Sequence, residues 1–599
     1  MLVSDLQSRL KGSFKHLLDN SLPDPFALEK QLAKGVGKFF RSEIKNEGIS
    51  NFANTLYQTV KKRDLVFSPD RTLGQELDVR AQRLGEKAHL SFKNKKYSYA
   101  HFNTEAAKVA GYLADNGIGE GASVGLLLPN LPAYLEIFYA TQRVGACAVP
   151  TNTALIDDGL AYIINNAGMT VLFTVTDHLD ELERIKDKIE APLTIVVVPN
   201  VDETDFATNA KITKRLKKNN YPSYLEVVKA EPQPTPKSDI SPDSTSMLMY
   251  TSGTTGHPKG VVYSYGTSQA KMIRMVAHLL VDANDIYYTC LPLFHANALL
   301  LTCFSCLYSD AEIALSSKFS ARLFWQEIRE SKATVFNTLG TMIAILMKQP
   351  INEIDGQHNV RRVISAACPA ELWIEFEQRF NVKLTESFGA VDGGGISTMN
   401  VGNAPVGSIG KPMGGTKWRL VDDKGNDVPV GEPGELIHFV GTSDRGRVNY
   451  HNNEKASSEK TRDGWVYSGD LLRADKEGFL YFVGRNSDSM RCGGENVSAM
   501  QVESAINQFD TVLESAAFAV PSELAEDDIM VVVQPQEGKK VDPAELHIFV
   551  QSKLAKFALP KYIRVVDQLP KTETHRIIKH QLKKAGITSD TWVYTPKKK

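Results

Sequence analysis

Residues 250–260 read Tyr250-Thr251-Ser252-Gly253-Thr254-Thr255-Gly256-His257-Pro258-Lys259-Gly260. Glycines let the backbone come close to a ligand, and successive exposed N–H groups form a concavity that holds an anion. Thr251, Ser252, Thr254 and Thr255 add hydroxyl donors, and Lys259 adds a mobile positive charge. This is the chemistry of a polyphosphate grip. The stretch is not a Walker loop, which has Gly-Lys followed by Ser or Thr, because Lys259 lies between Pro258 and Gly260. A plain Gly/Ser/Thr surface loop is the alternative, and shorter stretches of this composition usually are one.

Such a loop needs a rigid element to deliver it. Met247 to Tyr250 is a strand-length apolar run that ends where the loop begins, the end at which α/β sheets carry their ligands. From about residue 97 helical and strand patterns alternate. Ala100 to Asn116 and Leu131 to Val144 read as helices, and Ser123 to Leu128, Ala146 to Val149, Thr170 to Val175 and Leu193 to Val198 as strands. That alternation predicts parallel sheets covered on both faces. The polar stretch 199–245, with Pro232, Pro234, Pro236 and Pro242, reads as a connection. After the apolar run Leu480 to Val483, Gly484-Arg485-Asn486-Ser487-Asp488 reads as a polar hinge, and the residues beyond carry their own helix and strand runs. The expected fold class is α/β: a helical extension over 1–75, a large domain of stacked α/β/α sheets over 76–486, and a smaller α+β domain over 487–599.

Composition narrows the partners. The chain has 599 residues and a formal net charge of −1, which gives no case for nucleic acid as the main partner. No run of apolar residues is long enough to span a bilayer, and no signal peptide is read at the N-terminus. Leu291 to Tyr308, interrupted by His295 and Asn297, reads as buried core. Six cysteines, including Cys303-Phe304-Ser305-Cys306, read as packed reduced thiols, which fits a cytoplasmic location. Residues 1–75 hold 12 Lys/Arg against 8 Asp/Glu. There Leu28, Leu32, Val36, Phe39, Phe40 and Ile44 recur at helical spacing among lysines. A helix packed on the body and peripheral contact with an anionic membrane are both consistent with that pattern.

Further motifs follow the loop in unbroken order. Leu291-Pro292-Leu293-Phe294-His295 comes first, then Ser365-Ala366-Ala367-Cys368-Pro369-Ala370, then Thr385-Glu386-Ser387-Phe388-Gly389-Ala390-Val391-Asp392. Tyr467-Ser468-Gly469-Asp470, Gly484-Arg485, Cys492-Gly493-Gly494-Glu495-Asn496-Val497 and Leu569-Pro570-Lys571-Thr572-Glu573-Thr574-His575-Arg576-Ile577 complete the series. With the loop they resemble the adenylate-forming superfamily of acyl-CoA synthetases, peptide-synthetase adenylation domains and beetle luciferases. The wording around Gly493 and Gly494 is closest to carnitine-CoA ligases and fatty-acid transport protein type synthetases.

The resemblance implies roles residue by residue. Ser387, Phe388, Gly389 and Ala390 would meet adenine and phosphate, Asp392 would hold Mg²⁺, Asp470 would accept from both ribose hydroxyls, and Arg485 would contact ribose or phosphate. His295 would line the acid pocket, and Gly493 and Gly494 would support thioester formation. Two positions depart from the pattern: Val391 replaces a threonine, and Arg576 stands where the adenylation lysine is expected, with Lys579 three residues on. The implied cofactors are ATP, Mg²⁺ and coenzyme A, and the implied partner is a small carboxylic acid, fatty or carnitine-like. The C-terminal domain would swing about Ser487 or Asp488 between adenylation and thioester formation. Alternatives are an adenylating enzyme with another acceptor and a nucleotide-binding homologue that has lost catalysis. A homodimer is left open.

Overall fold

The structure is a computed structural model that describes residues 71–200, 206–234, 240–251, 257–266, 280–393, 397–402, 404–412, 416–442, 446–485, 489–492, 495–522, 527–572 and 576–595. The amphipathic pattern between Leu28 and Ile44 lies outside the described residues.

Two large sheets form the body. The six-stranded sheet runs Thr194–Val198, Met169–Val175, Ser123–Leu127, Cys147–Pro150, Thr245–Thr251, Lys259–Ser264. Its first five strands are parallel and the last closes an antiparallel hairpin. Ser123–Leu127 is buried along its whole length, as a strand covered on both faces must be, and this is why it reads as a continuous apolar run. The nine-stranded sheet runs Lys411–Pro412, Ser397–Asn400, Leu384–Gly389, Arg362–Ala366, Val335–Leu339, Ile286–Thr289, Glu312–Leu315, Ala88–Phe92, Lys95–Ser98, with a parallel centre.

The helices Tyr99–Asp115 and Pro132–Arg143 lie between these sheets. The first is started by Ser98, whose hydroxyl accepts from the His101 N–H at 3.1 Å, and the second by Pro132 at its first turn. Phe102 and Leu135 from these helices share one core with Val124 and Val171 from one sheet and Ile313 and Val335 from the other. A second core covers the other face of the six-stranded sheet, where Leu160 and Ile164 of the helix Asp157–Asn166 meet Leu172 and Ile195. The result is the stacked arrangement expected.

The expected connection 199–245 is not all irregular. It forms the helix Ala210–Asn219, capped by Asn209 and burying only Leu216. One apolar contact in a lysine-rich segment leaves too weak a period to read.

A five-stranded sheet (Trp418–Val421, Gly434–Phe439, Trp465–Ala474, Thr461–Arg462, Leu480–Arg485) adjoins the body. A smaller C-terminal domain follows, with Val512–Pro521, Asp527–Pro535, Tyr562–Val565 and Trp592–Val593 in a four-stranded sheet under the helices Ala499–Asn507 and Pro543–Gln551. Among the described residues no helix is long and apolar enough to cross a membrane. All six cysteines are free thiols, and only Cys368 is not fully buried.

Candidate active site

The hairpin between Thr245–Thr251 and Lys259–Ser264 presents the hydroxyl-rich loop, with Thr251 opposite Lys259. Ser252, Gly253, Thr254, Thr255 and Gly256 lie outside the described residues. The stem is braced on both sides. Gly260 lies under the Tyr250 ring, where a Cβ would stand 3.0 Å from Cζ, and the Tyr250 hydroxyl donates to Asn166 Oδ1 at 2.7 Å. On the outer edge the Val262 N–H donates to Asn449 O at 2.9 Å and the His451 N–H to Gly260 O at 2.7 Å. The segment 449–451 thus extends the sheet by one more short pairing.

That pairing sets Tyr450 beside the loop. The Lys259 ammonium lies 5.2 Å from the Tyr450 ring centroid, and the Tyr450 hydroxyl donates to Asp392 Oδ2 at 2.6 Å. Lys460 Nζ is 3.3 Å from the same oxygen. Nearby, Asp470 and Arg485 are partners across an antiparallel pair, with Nε 3.4 Å from Oδ1.

The two carboxylates share their cations but respond differently. Burial raises the Asp392 pKa, yet Lys460, the Tyr450 hydroxyl and Arg485 outweigh it and hold the group below the usual carboxylate range. Asp470 is pushed up, chiefly by burial and then by Asp392 and Glu435, against Arg485 and Lys460. Asp392 is therefore firmly anionic, which suits a metal-facing carboxylate. Among the described residues no group of three or more His, Cys, Asp or Glu could hold a metal. A single carboxylate fits Mg²⁺, which keeps most of its waters and takes substrate phosphate oxygens.

A second wall forms where the strand Arg362–Ala366 ends. Ala367 takes the left-handed conformation, φ +64°. Gly340 passes so close that a Cβ there would stand 1.9 Å from Ala367 O. Glu386, buried, accepts from the Cys368 N–H at 3.2 Å, and its Oε2 has no hydrogen-bond partner among the described residues. Burial lifts its pKa to about 7 against the opposing pull of Ser365, Cys368 and Ala367. The Ser387 hydroxyl donates to Ser365 O at 2.9 Å. Phe388 is half-buried, its ring 6.1 Å from that of Phe482. Gly389 is exposed and Ala390 O accepts from the Gly393 N–H. Val391 packs against the main core, and its carbonyl accepts from the Tyr263 hydroxyl at 3.0 Å.

The third wall joins the two domains. His295 precedes the π-helix Asn297–Phe304. Burial, and after it the charge of Arg576, lowers the His295 pKa to about 4. Arg576 comes from the C-terminal domain, on a turn closed by the Thr572 N–H to Arg576 O at 2.8 Å and the Arg576 N–H to Thr572 Oγ1 at 3.1 Å. Lys579 opens the helix Lys579–Ala585 and pairs with Glu503 at 2.8 Å, so its charge is engaged within its own domain. The C-terminal domain is seated by Lys348 Nζ, which donates to Val512 O at 2.7 Å and to Leu513 O, and by Ser504 Oγ, which donates to Glu371 Oε1 at 2.6 Å. Ser487 and Asp488, and Gly493 and Gly494, lie outside the described residues.

Sequence reading misses Tyr450, Lys460 and Glu386. Glu386 leaves one trace, an acidic residue in an otherwise buried strand end. Tyr450 and Lys460 leave none, because their roles come from distant pairing.

The family model described as AMP-binding enzyme matches residues 77–439, and the one described as AMP-binding enzyme C-terminal domain matches residues 501–576. The crotonobetaine/carnitine–CoA ligase of Salmonella typhi is 27% identical over 527 residues, covering 86% of this chain and 99% of that protein. Solved structures share the fold. The anthranilate CoA ligase AuaEII with anthranoyl-AMP has a TM-score of 0.74 at 24% identity, over 87% of this chain and 98% of that one. The o-succinylbenzoate CoA synthetase of Bacillus subtilis with ATP and magnesium ion has a TM-score of 0.69 at 23% identity, over 85% and 99%.

Proposed function

The chain belongs to the AMP-binding enzyme family, and on that premise we propose that it is an ATP- and Mg²⁺-dependent, AMP-forming acid–CoA ligase. The observation that carries this reading is the charge cluster of Asp392, Asp470, Lys460 and Arg485 beside the loop stem.

In the first step a carboxylate oxygen of the acid attacks the α-phosphorus of ATP and pyrophosphate leaves. The loop 251–256 and Lys259 grip the leaving phosphates. Asp470 accepts from the ribose hydroxyls, with Arg485 beside it at the sugar or phosphate. Ser387, Phe388, Gly389 and Ala390 border the base. Glu386 offers its unpartnered Oε2 there. Mg²⁺, when bound by Asp392, neutralises charge on the phosphates. Arg576 faces the reacting oxygens across from His295, which stays neutral at ordinary pH and does not oppose that charge. Arg576 is taken for the place of the usual lysine because it stands at that position in the motif and its charge reaches His295, whereas Lys579 lies three residues on and pairs with Glu503 of its own domain. In the second step the CoA sulfur attacks the acyl carbon and AMP leaves. Rotation at Ser487 or Asp488 would bring Gly493 and Gly494 to the site. The domain boundaries we assign are 76–486 and 487–599, after the extension 1–75.

Between a fatty and a carnitine-like acid, the crotonobetaine/carnitine–CoA ligase relatives favour the second. The test is pyrophosphate release with ATP, Mg²⁺ and a carboxylate panel, with and without CoA. Release that needs an acid, with turnover that needs CoA, is expected. Release without CoA dependence would indicate another acceptor, and no release with any acid would leave a nucleotide-binding homologue.

A further inference from the structure

The steps above use the contact of the C-terminal domain near His295 but not its seat around Lys348. Lys348 follows the helix Gly340–Met347 as its C-terminal cap. Its backbone is clamped from the helix Ala370–Phe380. The Arg379 guanidinium donates to Met347 O at 2.7 Å and to Gln349 O and Pro350 O at 2.9 Å each, and pairs with Asp355 at 2.8 Å. With its root fixed on both sides, the Lys348 side chain crosses to the other domain.

There it meets a β-bulge. Between the strands Val512–Pro521 and Asp527–Pro535, Val512 stands opposite Pro535 and Glu514 opposite Gln534, so Leu513 is an extra residue. A bulge locally disrupts the ladder, and the Lys348 ammonium donates to Val512 O at 2.7 Å and to Leu513 O. The contact is largely desolvated: burial lowers the Lys348 pKa to about 8, with Glu514 opposing. Hydrogen bonds to a charged group are strongest where water is excluded.

The same strand carries the effect onward. Glu514, the next residue, is buried and pairs with Lys571 at 2.7 Å. Lys571 bridges to Ile577 across the turn that bears Arg576, and the Ile578 N–H donates to Pro570 O at 2.8 Å at the base of that turn. Bulge, carboxylate and turn form one contiguous path from Lys348 to Arg576.

We propose that Lys348 is a positioning residue for the first step: by latching the bulge at Leu513 it holds the C-terminal domain in the seating that presents Arg576 beside His295. In the second step the domain turns away, the latch opens, and Lys348 has no part. This assignment rests on the ligase reading and the domain rotation above.

Lys348→Met keeps the stem and removes the donor. Two half-reactions are measured on one preparation with the fastest acid of the carboxylate panel: ATP–pyrophosphate exchange, and thioester formation from the chemically prepared acyl-adenylate and CoA. Their ratio cancels any loss of folded enzyme. Losing a charged donor to two carbonyls should cut exchange roughly tenfold or more, through the fraction of molecules in the competent seating, and leave thioester formation unchanged or faster. Lys348→Cys should lose exchange likewise. Alkylating that cysteine with 2-bromoethylamine rebuilds an ammonium on a stem of lysine's length and should restore exchange, with the wild type treated alike as control. Exchange no more affected than thioester formation, or no restoration after complete alkylation, overturns the proposal. If the wild type exchanges with no acid, the ligase reading fails, and small-angle X-ray scattering then decides the latch. A larger radius of gyration for Lys348→Met supports it, and superimposable profiles overturn it.

Discussion

Tyr450 joins two charges that the sequence keeps far apart: its hydroxyl donates to Asp392 Oδ2 at 2.6 Å while its ring lies 5.2 Å from the Lys259 ammonium. The ring serves the loop stem and the hydroxyl serves the carboxylate, so the two roles separate in a single substitution. Tyr450→Phe keeps the ring and removes a donor that holds Asp392 anionic. The Mg²⁺ concentration for half-maximal pyrophosphate release should rise about fivefold, from a loss of about 1 kcal/mol. A magnesium titration that superimposes on the wild type would remove Asp392 from the metal role.

Arg576 and Lys579 should differ sharply. The charge of Arg576 reaches His295 and lowers its pKa, whereas Lys579 lies at the start of the following helix and pairs with Glu503 at 2.8 Å. Arg576→Ala is expected to slow ATP–pyrophosphate exchange by about a hundredfold or more, the usual effect of losing one group that stabilises developing charge. Lys579→Ala should stay within about tenfold, mostly through the lost pair, worth about 1 kcal/mol or less. Exchange rates of the two variants measured side by side decide this, and the reverse order would transfer the role to Lys579.

Glu386 makes stability depend on pH. Its folded pKa, about 7, lies above the unfolded value of about 4.3, so the folded state holds the extra proton between them. Stability from this group is present below about pH 4 and is lost as pH rises through 7. Glu386→Gln keeps the Oε1-type acceptor for the Cys368 N–H and removes the titration. The wild-type midpoint of thermal unfolding, relative to that of the variant, should fall between pH 5 and 8. Parallel profiles would show that Glu386 is charged throughout.

A proline at position 487 tests the hinge assignment. Proline fixes φ, so Ser487→Pro should slow pyrophosphate exchange and thioester formation by different factors. Measuring both half-reactions on one preparation is sufficient, and equal slowing would move the hinge elsewhere.

The legibility of the chain follows burial. Strands covered on both faces, such as Ser123–Leu127 and Met169–Val175, announce themselves as apolar runs, and the helix Tyr99–Asp115 lies within a residue of its expected span. The run from Leu291 to Tyr308 reads as core, and most of it is buried, but apolar content does not reveal that Asn297–Phe304 winds as a π-helix. Asp392, Asp470, Arg485 and Lys259 are named by local motifs. That they share Lys460 and Tyr450 is set by long-range pairing, through the register of Asp470 with Arg485 and the bridge of Val261 to Tyr450.

The near-contact of Gly340 with Ala367 O constrains how this enzyme can change. Any side chain at 340 would have to displace that carbonyl, which follows the buried strand Arg362–Ala366. Directed evolution toward new acids should therefore lose library members that vary position 340.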